Sequence, residues 1–551
     1  MENKPTFGER ALYLLSPERG QQAYAKRIRK ERDAKAAGPS RDKVTQSASG
    51  YGAHGASRTA NALAGWIVNG GAAEDDIDLQ SATLRQRSRD LYAGGGLGKS
   101  GPDTLNTAVV GWGIYPKPNI DGEMLGISDE EAANWERKTL KEFQLWAGNT
   151  MCDAERSKNF YAMQQLAFLS KLVSGDLFVL FGQKENKRTP YTTVIRLLEA
   201  DRISTPDTYG DSQVKETGKG NRIVDGVEIS QDGEVLRYYI ASRHPLQSEN
   251  SESVTWTAVD AYGKDTGYAN ILHITTFERP EQRRGIPFVS AQIEKIKQLD
   301  RYINSELAAN VVSSMLTAFV ISDADDGKMA MEDAVNEDEK VTEDDLQLEL
   351  APGAIYDLPP GKKIDSVNPL RSNTGFESFV TTMEILIGSG YGIPKEVLVH
   401  KYDSNYTASR SAMLDFWRSV RKERAGFNAA FNQPIYEQWL AEAVARGRID
   451  APGFFDDPAI RQAWCGCDWI GASMGHVDPK KEAEAAAMRV AMNISSQELE
   501  ASEYNGGNWN EIVRQRIREE AAMKRIGNRE TEKKTADKEE EEEDGESEKQ
   551  V

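Results

Sequence analysis

The chain has 551 residues, 39% of them hydrophobic and 28% charged, and a formal net charge of −19. That excess of carboxylates excludes a protein that wraps nucleic acid tightly, but not one past which nucleic acid must slide. Three cysteines, Cys152, Cys465 and Cys467, exclude a disulfide framework and suit folding in a reducing cytoplasm.

In chain order, residues 1–50 read as a basic, flexible arm. Lys26 to Arg32 is rich in Lys and Arg, and a Gly/Ser/Ala-rich linker spans 47–57. The apolar run 11–15 is too brief for a signal-peptide core, and the run 177–181 falls far short of a membrane span. An amphipathic helix is expected over 78–92, then a glycine cluster, then a helix from about Pro102 to Val110. Gly111-Trp-Gly113 stops that helix and turns the chain. Helix formers return at 129–146 and 159–174. β signals follow at 177–181, 192–198, 226–229, 235–241 and 271–276, with Asp232-Gly233 as a hairpin turn. This central part reads as an α+β unit with a small antiparallel sheet.

From Arg284 to about Thr317 the sequence predicts one long helix, with Pro287 in its first turn. Val289, Ile293, Ile296, Leu299, Ile303, Leu307, Val311 and Met315 recur at three- and four-residue steps on one face. At 1.5 Å per residue such a helix reaches roughly 45 Å and needs neighbours along its length. Residues 323–349 are then densely acidic. Two short strands are expected at 353–358 and 364–367 around Pro359-Pro-Gly361. A helix over 375–387 should end at Gly388-Ser-Gly390, and the polar stretch 391–409 should lead to a long helix over 410–445. Helices at 479–492, 496–502 and 509–526 precede an acidic tail without apolar content, which reads as disordered.

No arrangement of residues points to catalysis. Ala93-Gly-Gly-Gly-Leu-Gly-Lys-Ser100 matches a relaxed phosphate-loop pattern. That chemistry requires a buried strand feeding the loop into a helix N-terminus, so that backbone N–H groups and Lys99 cradle phosphates. Here a charged helical segment precedes it, and a helix–turn–helix connection accounts better for the glycines. His54, His244, His273, His400 and His476 are scattered without ligand spacing, and His273 reads as a satisfied structural residue in an apolar strand. Cys465-Gly-Cys467 is too tight for a zinc knuckle and has no second pair. No catalytic residue, cofactor site or metal site is expected, and the chain reads as a non-enzyme.

Several segments together resemble the lambda-type portal proteins of tailed bacteriophages over roughly 51–527. They are Arg85-Gln-Arg-Ser-Arg-Asp-Leu91, Val110-Gly-Trp-Gly-Ile114, Ser174-Gly-Asp176, Leu198-Glu-Ala-Asp-Arg-Ile203 and Arg279-Pro-Glu-Gln-Arg-Arg-Gly-Ile-Pro287. Asn405-Tyr-Thr-Ala-Ser-Arg410, Trp469-Ile-Gly471 and Asp478-Pro-Lys-Lys-Glu482 follow in the same order. The glycine cluster at 93–100 departs from the family's more ordinary helical stretch.

The resemblance implies a mainly helical α+β portal fold, assembled as a cyclic ring of about twelve copies at one capsid vertex. It implies a wing over 51–285, stem helices over 286–318 and 374–390, and a clip over 319–373. A channel-facing loop over 391–409, a long wing helix over 410–447, a crown over 448–527 and the tail at 528–551 complete the division. Implied partners are further copies of the chain, the terminase large subunit, major capsid and scaffold proteins, a head–tail adaptor and double-stranded DNA passing without sequence readout. No membrane is implied, and the location is the virion after assembly in the host cytoplasm. Lys395 and Lys401, flanking the polar loop, are the candidate DNA-channel cations. Asp323, Asp325, Asp326, Glu337, Asp338, Glu339, Glu343, Asp344 and Asp345 are the candidate docking residues for terminase or connector. The competing readings are a nucleotide-binding protein built on 93–100 and a monomeric assembly scaffold.

Overall fold

The computed structural model describes residues 70–206, 214–217, 220–245, 253–314, 318–322, 362–366, 375–402, 405–475, 479–505, 507 and 509–526, with 23–27 and three isolated positions nearer the amino terminus. The chain divides into two units, Met1–Gly70 and Gly71–Val551. In the first, 23–27 are helical and the Arg27 guanidinium lies over the Tyr24 ring at 5.4 Å. The second is mainly helical, with antiparallel sheets.

Helix α1 (Ser81–Gly94) and helix α2 (Gly96–Val109) meet at Gly95, whose φ of 81° lets the chain reverse between them. The expectation placed the glycines in a loop and began α2 at Pro102. Instead α2 starts six residues earlier, because Gly98 and Gly101 serve close packing. A Cβ on Gly98 would stand 2.8 Å from the Leu91 carbonyl oxygen, and one on Gly101 would stand 2.6 Å from the Tyr391 ring. Helix propensity disfavours glycine by about 1 kcal/mol, and burial of α2 against α1 and Tyr391 overrides it.

Helix α3 (Asp129–Ala147) opens with a capping box, in which the Ser128 hydroxyl accepts from the Glu131 N–H while the Glu131 carboxylate accepts from the Ser128 N–H. Helix α4 (Phe160–Ser174) is capped by Asn159. Between α3 and α4 the main core is aromatic: Phe143 meets Trp439 edge-on at 4.9 Å and Phe160 edge-on at 5.6 Å, and all three are fully buried.

Strand β1 (Tyr115–Pro118) lies between α2 and α3. Past α4 come β2 (Asp176–Gln183) and β3 (Thr193–Glu199), then β4 (Val214–Glu216), β5 (Arg222–Val224), β6 (Val227–Ile229), β7 (Val235–Ala241), β8 (Trp256–Asp260) and β9 (Ile271–Thr275). They form a three-stranded sheet of order β3-β2-β9 and a five-stranded meander of order β4 to β8, both antiparallel. The Asp232-Gly233 turn joins β6 to β7 as expected. The meander has more strands than the sequence suggested. β5 is three residues long and β8, Trp-Thr-Ala-Val-Asp, places its apolar residues at uneven steps, so neither carries a clear alternating pattern.

Helix α5 (Ile293–Ser314) is shorter than the expected 284–317. A 3-10 turn, Ser290–Gln292, precedes it, and Pro287 sits before that turn rather than in a first helical turn. Strand β10 (Ala318–Ser322) pairs antiparallel with β11 (Lys362–Ser366), in register from Ala318 opposite Ser366 to Ser322 opposite Lys362. The expected strand at 353–358 lies outside the described residues, and β10 was not expected.

Helix α6 (Phe376–Tyr391) runs through Gly388 and Gly390, and ends at Gly392 in the left-handed region at φ 65°. The long helix begins at Tyr406, not at Arg410, because Asn405 caps it by accepting from the Ala408 N–H. It runs as α7 (Tyr406–Phe427), a π-helical turn Asn428–Asn432, and α8 (Gln433–Ala445). Pro434 explains the widened turn. Proline within a helical run removes one i→i−4 bond and crowds the preceding turn, and a π bulge relieves both. Strand β12 (Cys467–Ile470) returns to pair with β1, Tyr115 opposite Ile470. Helix α9 (Pro479–Ala491), helix α10 (Gln497–Asn505) and a helix over 509–526 complete the described chain. Among the described residues no helix is long and apolar enough to cross a membrane.

Candidate functional site

The sequence segments that looked unrelated converge on one buried ionic network. Arg85 projects from α1, Asp176 opens β2, Asp201 lies in the 3-10 turn Ala200–Arg202 after β3, and Arg284 stands nine residues before the first residue of α5. All four are nearly inaccessible to solvent. Arg284 Nε donates to Asp176 Oδ2 at 2.7 Å. Its Nη1 donates to the carbonyls of Ile203 (2.9 Å) and Asp225 (2.7 Å), and Nη2 to that of Ala200 (2.8 Å). The Asp225 carboxylate is 3.1 Å from the same guanidinium, and Arg85 reaches Asp201 at 3.3 Å. The fork of a guanidinium matches this spread of acceptors, where an ammonium would not.

Backbone approach tightens the junction. The Gly285 N–H donates to Asp176 Oδ1 at 2.6 Å, and a Cβ on Gly175 would stand 2.8 Å from the Gly285 carbonyl oxygen. The glycines of Ser174-Gly-Asp176 and of the Arg284 segment therefore let two strands of chain cross in direct contact. His273 on β9 is within 2.9 Å of Asp176 Oδ1 and stacks on Phe178 at 4.3 Å, which makes it a satisfied structural residue as expected.

Burial by itself would raise the Asp176 carboxyl, but Arg284, His273 and Arg85 outweigh it and hold it well below the usual carboxylate range. Burial likewise opposes the charge on Arg284, and Asp225 and Asp176 outweigh it and push the guanidinium upward. Asp78 behaves oppositely. It accepts from the N–H groups of Arg284 (3.0 Å) and Arg283 (3.2 Å), yet burial dominates and its carboxyl is pushed up to about 6. Asp78 and Asp225 were missed from sequence. The only local signal is that Asp225 precedes Gly226 in a turn, with a positive φ of 43°.

The network has the composition of an anchor. It ties α1, the three-stranded sheet and the meander to the segment that launches α5. From there α5 and α6 run antiparallel: Gln292 lies beside Gly390 and Tyr302 packs on Phe379 (4.6 Å) and Phe376 (5.7 Å). Their apolar face is split. Val289, Ile296 and Leu299 are buried in the core, whereas Ile303, Leu307 and Val311 of α5 are 36%, 62% and 46% exposed. Phe379, Ile385 and Leu386 of α6 are exposed to a similar degree. Met315, the last residue of the expected stripe, lies outside the described residues.

A second convergence holds α7. Arg424 donates to the carbonyls of Val109, Ala108 and Ala472, each at 2.8 Å, so it caps the end of α2 at the Gly111-Trp-Gly113 corner. Burial, with Arg421 beside it, lowers its guanidinium to about 10. A Cβ on Gly471 would stand 2.6 Å from Arg424 Nε, which explains the glycine of Trp469-Ile-Gly471.

Lys395 lies half-buried in the one-turn helix Lys395–Leu398, and exposed Lys401 is 3.9 Å from Glu377 at the start of α6. Asp323, Asp325, Asp326, Glu337, Asp338, Glu339, Glu343, Asp344 and Asp345 lie outside the described residues. The phosphate-loop reading of 93–100 has no geometric support. Gly96 to Ser100 are helical, α1 rather than a strand precedes them, and Lys99 is paired with Asp103 at 3.1 Å and with the Tyr92 hydroxyl at 3.0 Å. Among the described residues no group of His, Cys, Asp or Glu could hold a metal ion.

Comparison with known proteins matches residues 59–424 to the family model described as phage portal protein, lambda family. The chain is 24% identical over 460 residues to Portal protein B of Escherichia phage lambda, covering 80% of this chain and 84% of that protein. It is 22% identical over 484 residues to the portal protein of Escherichia phage N15, covering 84% and 89%. Among solved structures, a chain of the virion of native gene transfer agent (GTA) particle aligns with a TM-score of 0.41 at 14% identity, over 70% of this chain and 93% of that one.

Proposed function

The chain belongs to the lambda family of phage portal proteins, and from that membership we propose that about twelve copies close into a ring whose axial passage threads double-stranded DNA at one capsid vertex. The observation that carries the self-assembly is the exposed apolar side chains along the α5–α6 pair, Ile303, Leu307 and Val311 on α5 and Phe379, Ile385 and Leu386 on α6. So many large apolar side chains on two packed helices are poorly left in water, and a second copy is the partner that ring closure brings to them. Family membership points to a structural channel rather than to an enzyme.

In this reading 51–285 form the wing, α5 and α6 the stem, and the β10–β11 ribbon belongs to the clip over 319–373. The segment 391–409 faces the channel, 410–447 is the long wing helix and 448–527 the crown. Rotational symmetry multiplies each channel-facing charge about twelvefold, beside a polyanion with one charge per about 1.7 Å. A net charge of −19 suits a passage that does not hold the duplex. Lys395 and Lys401 are the proposed exceptions that touch passing phosphates, and changing both to Ala should alter packaging while leaving the ring intact. The acidic set from Asp323 to Asp345 is proposed to dock a basic surface of terminase or connector, with salt-dependent affinity.

Native mass spectrometry tests the assembly. Wild-type protein should give rings near a dozen copies, and the Leu307→Asp/Ile385→Asp double variant should give single subunits with an unchanged far-UV circular dichroism spectrum, since both side chains are exposed in the subunit. Wild-type protein that stays a single subunit in every condition, or a double variant that still forms rings, overturns the proposal.

A further inference from the structure

The C-terminal helices are attached to the rest of the subunit in an unusual way. No residue of helix α9 is fully buried, and Met488, Met492, Ile494 and Leu499 are each more than half exposed. Between α9–α10 and α7 lies an open cleft of about 1090 Å³, at whose rim Arg410, Arg421 and Lys117 meet Glu482, Glu498 and Glu503, with Leu414, Trp417, Met474 and Leu499 among its apolar lining. These residues pair across it. Arg410 bonds Glu482, Lys117 reaches Glu498 at 2.6 Å, and Arg421 reaches Glu503 at 3.4 Å. Arg489 of α9 clamps Glu500 of α10 through bonds of 2.8 and 2.6 Å, so the two helices hold together as one piece.

We propose that residues 479–505 form an ionic strap, held on α7 and β1 by ion pairs across an open cleft whose apolar lining is not closed into a buried core. Its docking is therefore set by ionic strength, while the body of the subunit is not. The contrast with the rest of the fold is physical. The aromatic core around Phe143 and Trp439 is insensitive to salt, and the Arg284 network is shielded from it, but partly exposed pairs weaken as the Debye length shrinks from about 10 Å at 0.1 M to about 3 Å at 1 M. Opening would bare Arg410, Arg421 and Lys117 as a cationic strip, and would free α9 and α10, which at 13 and 9 residues are too short to keep their helical hydrogen bonds undocked. In each of the three cross-cleft pairs the cation lies on the body and the carboxylate on the strap, so a salt rise or a competing polyanion releases it.

Hydrogen exchange on the full chain, read by mass spectrometry in 50 mM and 1 M NaCl, tests this. Peptides within 479–505 should exchange at least tenfold faster at high salt, while peptides from α3 and α8 stay unchanged. Arg410→Glu should give the fast exchange already at 50 mM, and adding Glu482→Arg should restore protection. The same measurement on the Leu307→Asp/Ile385→Asp variant separates a clasp within one subunit from contacts made by neighbours. Exchange in 479–505 that ignores salt, a charge reversal without effect, or protection that disappears in the single-subunit variant each overturns the proposal. If Arg410→Glu fails to fold, the salt comparison on wild-type protein still decides it.

Discussion

Replacing Arg284 by methionine removes the centre of the buried network while keeping an aliphatic stem against Phe178, over whose ring the guanidinium lies at 5.3 Å. The change deletes the bond to Asp176 at 2.7 Å, the donations to Ile203, Asp225 and Ala200 at 2.7–2.9 Å, and the 3.1 Å pairing with the Asp225 carboxylate. Of its partners Asp176 would keep His273 at 2.9 Å, the Gly285 N–H at 2.6 Å and Arg85 at 4.0 Å, and Asp225 would keep the Ser81 hydroxyl at 2.9 Å and Arg85 at 3.8 Å. Removing one partner of a buried ion pair costs about 3–5 kcal/mol, and stranded carbonyls raise the total to roughly 5 kcal/mol. At about 2.1 cal/mol/K per residue, the unit Gly71–Val551 has an unfolding entropy near ~1 kcal/mol/K, so the melting temperature should fall by about 5 °C. Arg284→Lys keeps the charge but loses the fork, and should fall by about half as much. Differential scanning calorimetry gives both shifts. A methionine variant that melts within about 2 °C of wild type, or a lysine variant indistinguishable from wild type, would refute the idea that this network anchors the stem.

Two glycines should respond to alanine with opposite signs. A Cβ on Gly390 would stand 1.9 Å from the buried Gln292 side chain, so Gly390→Ala should destabilise by about 1–3 kcal/mol despite better helix propensity. Gly426 in α7 has open space around that position, so Gly426→Ala should stabilise by about 0.5–1 kcal/mol; urea titrations that rank them the other way contradict the packing described. Asp78 sets a pH dependence. Burial raises its carboxyl from 3.8 to about 6, so the fold binds this proton more tightly than the unfolded chain. Stability should therefore rise as pH falls from about 6 toward 4, by roughly 3 kcal/mol from this group, and Asp78→Asn should abolish that slope. The carboxyls of Asp176 and Asp201 are held low, so their contribution is lost only below about pH 4 and leaves the window clear. A slope that persists in Asp78→Asn assigns it to another group.

Helices α3, α4, α9 and the helix at 509–526 were legible to within a residue or two, as were β2, β3, β7 and β9. In each, a cap, a glycine or a hydrophobic period lies within the element itself. The apolar stripe of α5 was equally plain, and so was the family, from short segments in a fixed order. What those segments do was not legible. Arg85, Asp176, Asp201 and Arg284 span two hundred residues of chain, and only the folded backbone brings their charges within bonding distance. Arg284 reads in sequence as the start of a helix, and in the structure it is the most thoroughly satisfied cation described. Likewise Gly96 and Gly98 look like part of a phosphate loop until the fold shows Gly96 turning the chain at a φ of 58° and Gly98 packed where a Cβ would meet the Leu91 carbonyl. Local order follows from interactions between residues a few positions apart, which sequence displays directly. Which charges are buried, and which glycines are needed for contact, depends on surfaces supplied by distant parts of the chain, and these exist only after folding.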